Sequence, residues 1–477
     1  MYHSTRGGSP PVPFDQAVLQ GFAGDGGLFV PHPVPQLSRA RLEQWKSLGY
    51  VALAREVMSC YIDPEIVPKQ DLERLLAASF APFEQADPPL VSPGQDGRNW
   101  IMELFHGPTL SFKDVAMGFL IELMDYFLEK TDDRLSLILA TTGDTGPAAA
   151  YAVAGKKRIC CWPLYPAGMI SREQELQMTT IGAGNVCPVE VQDCRSGGDD
   201  LDVVVARLFG NEQLKKRLKL SSVNSINIGR VLMQTVHYFY AYFRTVERLG
   251  DPLVFSIPAG AFGNLCGGEL ARLMGLPIEF ICATNKNGTL HRIFADGIFE
   301  KSPLQQSLSS AIDIVIPYNF WRFLYFRCSG DTALVNKAIT KFEHYGTVQF
   351  DDILHSKLRR GVVSTSVSDE QTLESIAHIF EQTGYLLDPH GAVAVAGAEQ
   401  CRPGIAEHTP CVSVATAHPA KFPRVIEKAL PTGRSLPESA LHHSIEEAKK
   451  ADTKVLICTY KELEQLLVDE IDASLKH

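Results

Sequence analysis

The feature that most constrains the fold is an alternation of short apolar runs with helical stretches, which begins near residue 97. Five runs are typical of buried strands: LSLILA (135–140), RICCWPLYP (158–166), LVFSIP (253–258), IEFICAT (278–284) and PCVSVAT (410–416). Helical patterns lie between them, at 146–155, 199–218, 226–249 and 268–275. The alternation predicts an α/β fold with parallel sheets covered on both faces. Ligands in such folds bind in the loops beyond the carboxyl ends of strands.

The charge and cysteine content exclude several classes of protein. The net charge of -10 and the absence of a long Lys/Arg run argue against a nucleic-acid or anionic-membrane partner. No run approaches the roughly eighteen apolar residues of a membrane span, and the N-terminus lacks a signal or transit pattern, so a cytoplasmic location is expected. The eleven cysteines are scattered without a CxxC pair, which predicts reduced thiols and no metal site.

An unusual lysine lies in HGPTLSFKD (106–114). Lys113 follows a Gly-Pro turn and an aromatic residue, and it begins a dense apolar helical pattern over 113–130. The helix dipole favours cations at the other end of a helix. Either the side chain snorkels out of a core helix, or this amine has a function that requires the position.

Two strand-to-helix turns have the composition of anion sites. In ATTGDTGPAAA (140–150), small hydroxyl residues and glycines turn the chain before Pro147 begins a helix. In SIPAGAFGNLCGGELA (256–271), Gly260 and Gly263 allow the backbone amides to close around a phosphate. Each turn could instead be an ordinary capped turn, and the second lacks the lysine of a P-loop.

Two further loops complete a possible pocket. In SVATAHPAKF (413–422), the Thr416 hydroxyl could hydrogen-bond a ring nitrogen or cap its own turn. In LYPAGMISREQELQM (164–178), Arg172 could meet an anion or face water. Together with Lys113, these loops indicate a pocket for a phosphorylated cofactor that bonds to an amine. We therefore expect pyridoxal 5′-phosphate as a Schiff base on Lys113, because burial and a helix N-terminus both favour a neutral amine.

Ordered motifs along nearly the whole chain resemble those of the threonine synthase family, which belongs to the fold-type II pyridoxal-phosphate enzymes. They are YHSTRG, FDQAVLQGFAGDGGLFVP, ELFHGPTLSFKD, TTGDTG, YPAGMISREQELQM, NSINIGR, PAGAFGN, ATNKN, DPHGAVAVA and TAHPAKF. Within the family, the chain most resembles the threonine synthase-like 2 group. The resemblance implies a tryptophan synthase β-like architecture, with two three-layer α/β domains of parallel-rich sheets and the active site between them.

The resemblance and the pattern together suggest four segments. Residues 1–97 form an N-terminal subdomain, 98–225 a small α/β domain with the Schiff-base lysine and the substrate loop, 226–435 a large α/β domain with the phosphate loop, and 436–477 a helical tail. The oligomeric state is left open.

The resemblance also implies the roles of individual residues. Lys113 matches the catalytic, cofactor-linked lysine, and Thr416 matches the partner of the pyridine nitrogen. The residues implied to bind the cofactor phosphate are Gly260, Ala261, Phe262, Gly263 and Asn264. The residues implied to bind the substrate are those of the loop Thr141, Thr142, Gly143, Asp144 and Thr145, together with Asn319 and Arg322.

The chain departs from the family pattern beside the cofactor. The family usually reads S-G-N-F-G-D where this chain has Ala259, Ala261 and Asn264, and TSGDTG-S where it has Thr142 and Pro147. Main-chain phosphate binding should survive, because it does not depend on side-chain identity. We expect these changes to affect the later half of threonine synthesis, in which water is added, more than they affect phosphate binding.

The expected activity is a phospho-lyase that degrades O-phosphohomoserine, and O-phosphothreonine by a simpler elimination, to 2-oxobutyrate, ammonia and phosphate. The alternatives are a true threonine synthase, a serine or threonine dehydratase of the same fold type, and a non-catalytic binding or signalling protein. The candidates for holding the substrate phosphate are Arg172, Arg230, Arg322 and Lys421.

Overall fold

The computed structural model describes residues 1–95, 97–195, 197–431 and 435–476. Its strands are β1 Tyr2–Ser4, β2 Phe29–Pro31, β3 Leu90–Val91, β4 Asn99–Glu103, β5 Leu135–Ala140, β6 Ile159–Pro166, β7 Val189–Gln192, β8 Leu220–Ser221, β9 Leu253–Pro258, β10 Ile278–Thr284, β11 Ile298–Glu300, β12 Thr347–Gln349, β13 Val362–Ser366, β14 Cys411–Ala415 and β15 Leu456–Thr459.

Two parallel-rich sheets organise the chain. The larger has six strands in the order β13-β10-β9-β14-β4-β3, and only β3 runs antiparallel to its neighbour. The smaller has five parallel strands in the order β15-β7-β6-β5-β8. Two short antiparallel pairs, β1 with β2 and β11 with β12, lie outside these sheets. The α/β architecture expected from the alternation is confirmed.

Helices connect the strands and cover the sheets. They are α1 Phe14–Gln20, α2 Arg39–Trp45, α3 Tyr50–Ser59, α4 Lys69–Phe80, α5 Lys113–Thr131, α6 Thr145–Val153, α7 Arg172–Thr179, α8 Gly198–Gly210, α9 Glu212–Arg217, α10 Ile228–Thr245, α11 Gly263–Leu273, α12 Thr289–Asp296, α13 Phe320–Arg327, α14 Thr332–Tyr345, α15 Asp352–Arg359, α16 Asp369–Thr383, α17 Pro389–Cys401, α18 Pro423–Ala429, α19 His443–Ala448 and α20 Leu463–Ser474. None of the helices in the described ranges is long and apolar enough to cross a bilayer.

Two buried helices join the parts of the molecule. Helix α5 packs against α4 and α6, and it also packs against α10. Helix α10 is buried from Ile228 to Phe243 and contacts α3 and α11 as well. The dense apolar pattern of α5 therefore reflects a helix with neighbours on several sides. Lys113 of α5, Arg230 of α10 and Gly263 of α11, all in the first turns of their helices, line one cavity.

The structure reproduces all five predicted strands to within one residue at each end. It divides the predicted helix 199–218 at Asn211, whose side chain caps the second part. Strand β4, inside the predicted small domain, pairs in the six-stranded sheet. The tail contains β15 as well as helices, and β15 extends the five-stranded sheet. These pairings join residues far apart in sequence, which local patterns do not record.

Candidate active site

Lys113 is the first residue of α5, and the loop before it is held by the next residue. The Asp114 carboxylate accepts hydrogen bonds from the Thr109 amide at 2.9 Å and the Thr109 hydroxyl at 2.6 Å. The Phe112 amide donates to the Thr416 carbonyl at 2.8 Å. The entry loop is thus fastened to the loop after β14, and Lys113 and Thr416 line the same cavity.

The environment of Lys113 favours a neutral amine. Burial is the main cause that lowers the pKa of Lys113 to about 7; the Asp144 carboxylate raises the pKa in part, and the positive charges of Arg230 and Lys421 lower it. Its Nζ lies 4.0 Å from the centroid of the Phe112 ring. The Lys113 amine is therefore neutral in about half of the molecules at neutral pH, and a nucleophile or a base must be neutral.

A buried ion pair ties three loops together beside Lys113. Lys421 Nζ lies 2.8 Å from Asp144 Oδ1 and donates to the Thr109 carbonyl at 2.8 Å. Gln174 Nε2 also donates to Asp144 Oδ1, at 2.9 Å. Burial alone would raise the pKa of Asp144, but Lys421, His390 and Lys113 lower it to about 2. The ion pair between Asp144 and Lys421 therefore links the loops that contain them.

The glycine-rich turn after β9 presents uncapped amides to the cavity. Phe262 has a positive φ of 65° immediately before α11, and no side chain caps this helix. A Cβ at Gly260 would lie 2.8 Å from the Ile312 Cα, so only glycine fits there. Gly260, Ala261, Phe262, Gly263 and Asn264 all line the cavity. The free amides and the positive end of the helix form an anion cradle.

Asn264 belongs to a buried network behind that turn. Its Oδ1 accepts from Tyr238 OH at 2.7 Å and lies 2.8 Å from His237 Nε2. Its Nδ2 has no hydrogen-bond partner within the described parts of the chain. Burial lowers the pKa of His237 to about 4, so the imidazole is neutral. This amide replaces the carboxylate of the family pattern and leaves the network without charge.

Arg230 is a buried cation without a carboxylate partner among the described residues. It is 1% exposed, its NH1 donates to the Val223 carbonyl at 3.0 Å, and its Nε lacks a partner in the described ranges. Burial lowers the pKa of Arg230 to about 10, so it keeps its charge at neutral pH. Arg230 lines the same cavity as Lys113. A buried guanidinium in this state favours an anionic ligand.

A second cavity of about 320 Å³ adjoins the first, and Ser225, Ala261 and Ala311 line both. From the predicted substrate loop, Thr141, Thr142 and Thr145 line this outer cavity. The rest of its lining is Phe22, Ala140, Gly198, Asp202, Val205, Ala206, Phe209, Ser222, Asn224, Ile226, Ile314, Ile316 and Tyr318. Within the described lining there is no Lys, Arg or His. The positive charge of the site is therefore confined to the inner cavity.

Hydrogen bonds and close packing hold the predicted substrate loop in a fixed conformation. Thr141 Oγ1 accepts from the amides of Gly143 at 3.1 Å and Gly146 at 3.0 Å, which organises the start of α6. Gly143 has a φ of 141°, and a Cβ there would lie 2.3 Å from Gln174 Nε2. The loop thus offers Thr142 and Thr145 to the outer cavity and Asp144 to the inner one.

Asn319 and Arg322 lie outside both cavity linings. Asn319 Nδ2 donates to the carbonyls of Ser225 at 3.1 Å and Ala261 at 3.0 Å. Arg322 is fully buried, bonds Asn319 Oδ1 at 2.5 Å, and donates to the carbonyls of Phe29 and Ile226. Their contacts support the two loops that line the site. A direct contact with substrate stays a prediction.

The other candidates for the substrate phosphate are placed elsewhere. Arg172 is 54% exposed and pairs with Glu175 on its own helix, and the Lys421 ammonium is occupied by Asp144. Sequence reasoning missed the buried His390, which lines the inner cavity, bonds Asp388 at 2.8 Å and accepts from the Ala311 amide at 3.1 Å. The DPH triplet is visible in the sequence, but its position beside the turn that follows Ser309 is not.

These residues fit pyridoxal 5′-phosphate. The cavity holds an amine with a lowered pKa, an uncapped helix start suited to phosphate, and unpartnered polar atoms on Arg230, Gln234 and Asn264. The Thr416 hydroxyl has no hydrogen bond to any other described residue and could meet a ring nitrogen. The aldehyde, the phosphate and the ring nitrogen of that cofactor each have a complementary group in the wall.

Comparison with known proteins gives three family matches. The model described as "Threonine synthase N terminus" matches residues 1–80, "Pyridoxal-phosphate dependent enzyme" matches 89–417, and "Threonine synthase, C-terminal" matches 391–466. Human threonine synthase-like 2 is 38% identical over 430 residues, which is 89% of this chain and 88% of that protein. Threonine synthase from Pseudomonas aeruginosa is 37% identical over 90% of each chain.

Two solved structures of threonine synthases are similar to this chain along nearly its full length. Threonine synthase from yeast has a TM-score of 0.91 at 34% identity and covers 99% of each chain. The threonine synthase from Brucella melitensis, a structure with bound pyridoxal phosphate, has a TM-score of 0.90 at 33% identity over 99% of this chain and 98% of that chain.

Proposed function

Because this chain belongs to the threonine synthase family of pyridoxal-phosphate enzymes, we propose that it is a phospho-lyase acting on O-phosphohomoserine. The proposed reaction consumes one water and yields 2-oxobutyrate, ammonia and phosphate. O-phosphothreonine, whose phosphate is on Cβ, is a second candidate substrate by a simpler elimination. The alternative within the family is threonine synthase itself, which would add the water at Cβ.

The observation that carries the proposal is Arg230. A fully charged guanidinium that is 1% exposed, without a carboxylate partner among the described residues, lines the cavity that contains the Lys113 amine. The glycine turn can accommodate the cofactor phosphate through main-chain amides, which leaves Arg230 for a second anion. A phosphate ester on the substrate supplies that anion next to the amine that must move its protons.

The residues of the site divide the work of an elimination. Lys113 Nζ bonds the cofactor at rest and, once free, moves the protons at Cα and Cβ. Bound pyridoxal phosphate supplies an electron sink for the charge left at Cα. Thr142 and Thr145 receive the substrate carboxylate, and Arg230 holds the phosphate as it leaves Cγ. Thr416 is a neutral partner for the cofactor nitrogen and leaves that sink moderate.

The preference for a lyase rests on positions 261 and 264. Ala261 lines both cavities, at a place where the family pattern has an amide side chain. Asn264 replaces a carboxylate, and the neutral His237 behind it adds no charge. The site therefore lacks a side-chain amide at position 261 and a carboxylate at position 264 that could hold the unsaturated product of phosphate elimination and direct water onto it. Early release of that product and its hydrolysis give 2-oxobutyrate.

The test is product analysis. Purified, cofactor-loaded protein is incubated with O-phosphohomoserine while phosphate, threonine and 2-oxobutyrate are measured together. Phosphate matched by 2-oxobutyrate supports the lyase, and phosphate matched by threonine supports the synthase. The double variant Ala261→Asn with Asn264→Asp restores the family pattern, and we expect it to raise the threonine fraction. A serine or threonine dehydratase would turn over unphosphorylated substrates without inhibition by inorganic phosphate.

A non-catalytic protein on the same fold is distinguished by the cofactor linkage. A Schiff base makes purified protein yellow, and borohydride reduction followed by peptide mapping should place the cofactor on Lys113. Full turnover by Lys113→Ala would refute the covalent mechanism.

A further inference from the structure

A cluster of metal-ligating side chains lies away from the active site, at the junction of the C-terminal segment with the rest of the molecule. It consists of Glu84, His442 and His443. His442 Nε2 lies 3.2 Å and His443 Nε2 3.8 Å from the same carboxylate oxygen, Glu84 Oε1. The ligand atoms of all three lie within 4.8 Å of one another. We propose that this cluster binds a divalent transition-metal ion of the zinc and nickel class.

The spacing of the three groups suits a tetrahedral site. With bonds of about 2.0–2.1 Å to nitrogen and oxygen, neighbouring ligand atoms lie roughly 3.3 Å apart. Both distances to the carboxylate are close to that value. The two imidazoles and one carboxylate are the ligand set that borderline metals prefer, and water can fill the fourth position.

The surroundings already orient one ligand. His442 Nδ1 accepts a hydrogen bond from the Ser444 amide at 3.3 Å as the cap of α19 and lies 2.8 Å from the Ser444 hydroxyl, and these contacts hold the ring with Nε2 toward Glu84. The side chain of His442 is 12% exposed, whereas those of His443 and Glu84 are 69% and 48% exposed. An ion can therefore enter from solvent without rearrangement of the fold.

The position of the cluster gives the metal a structural consequence. The Glu84 amide donates to the carbonyl of His106 in the entry loop at 3.0 Å. The His442 ring lies 5.2 Å from that of His418, two residues beyond Thr416. In helix α19, Ile445 packs against Leu110 and Ala420. A metal on the cluster would fasten α19 to the loops that position Lys113 and Thr416.

The test is titration of the full-length, cofactor-loaded protein with Ni²⁺, which prefers imidazole nitrogen to the scattered thiols. We expect one equivalent to bind. Both His443→Ala and Glu84→Gln should weaken binding at least about tenfold, since even second-shell losses cost that much. The matched control His408→Ala removes an exposed histidine elsewhere and should bind like the native chain. Absence of a one-equivalent phase, or equal affinity in all variants, would overturn the site.

Hydrogen exchange tests the consequence separately from binding. Ni²⁺ should slow amide exchange over 438–448 in the native chain and leave it unchanged in Glu84→Gln. Unchanged exchange in the native chain at saturating Ni²⁺ would overturn the fastening role. The substituted side chains of Glu84 and His443 are 48% and 69% exposed, so the variants are expected to fold.

Discussion

The lowered pKa of Lys113 makes a quantitative prediction about cofactor capture. An ordinary lysine with a pKa near 10.5 is about 0.03% neutral at pH 7, whereas a pKa of about 7 leaves about half of the amine neutral. At pH 7, the neutral fraction of Lys113 is thus roughly a thousandfold larger than that of a solvated lysine. Because only the neutral amine attacks an aldehyde, the rate of capture should rise as pH increases through about 7 and then level off.

The assay mixes cofactor-free protein with pyridoxal and follows absorbance in a stopped-flow instrument across a pH series. Pyridoxal lacks the phosphate, whose own ionisation would distort the profile. A rate that levels off above about pH 8 supports the prediction. A rate that keeps rising beyond about pH 9, as for a solvated lysine, would show that the site does not depress the pKa of Lys113.

Two variants separate the causes of the shift. Arg230 lowers the pKa of Lys113 and has no carboxylate partner in the described structure, so Arg230→Met should move the midpoint to higher pH without leaving an unpaired acid. Arg172→Met, on the exposed face of α7, is the matched control and should leave the midpoint unchanged. If both variants gave the native midpoint, the charge of Arg230 would not act on Lys113.

Three further changes test other parts of the site. Gly260→Ala should weaken cofactor binding at least about tenfold, measured by fluorescence titration, because the new Cβ would lie 2.8 Å from the Ile312 Cα; an unchanged affinity would contradict the close approach. Lys421→Met should lower the free energy of urea unfolding by about 3 kcal/mol by leaving the buried Asp144 unpaired, and Lys421→Arg should lose less. Because the pKa of Asp144 is about 2, the native chain should lose this stabilisation as pH falls from about 4 to 2, and the Met variant should lack that step. Asn319→Ala should cost about 2 kcal/mol by removing two buried hydrogen bonds, and an unfolding midpoint equal to that of the native chain would refute its positioning role.

Local patterns predicted the elements and the loops well, since both depend on short-range chemistry. The strand before the glycine turn is a continuous apolar run, and the turn itself requires small residues, so 253–258 and 256–271 could be recognised directly. The same holds for Lys113 as the first residue of its helix. The candidate residues of the glycine turn, Thr416 and Lys113 line one cavity, as a site assembled at the carboxyl ends of strands requires.

Long-range pairing could not be predicted in this way. Nothing near Lys421 or Asp144 in sequence indicates that they meet, since they are separated by most of the chain and lie in different loops. Arg322 resembles a substrate ligand in sequence because arginine is common in anion sites, yet the fold uses its planar donors to bind three oxygens of neighbouring segments. The distinction depends on burial and on partners, which only the assembled fold defines.

The unusual position of Lys113 connects local sequence to reactivity. A cation at the start of a helix is disfavoured by the helix dipole, and burial near Arg230 and Lys421 disfavours it further. These effects together outweigh the Asp144 carboxylate, which favours the charged form, and the net pKa of Lys113 falls to about 7. A sequence that minimised local cost would place an acid or a small polar residue there. The local conflict at this one position, within an otherwise consistent helix, is therefore the physical basis of the chemistry that the site can perform.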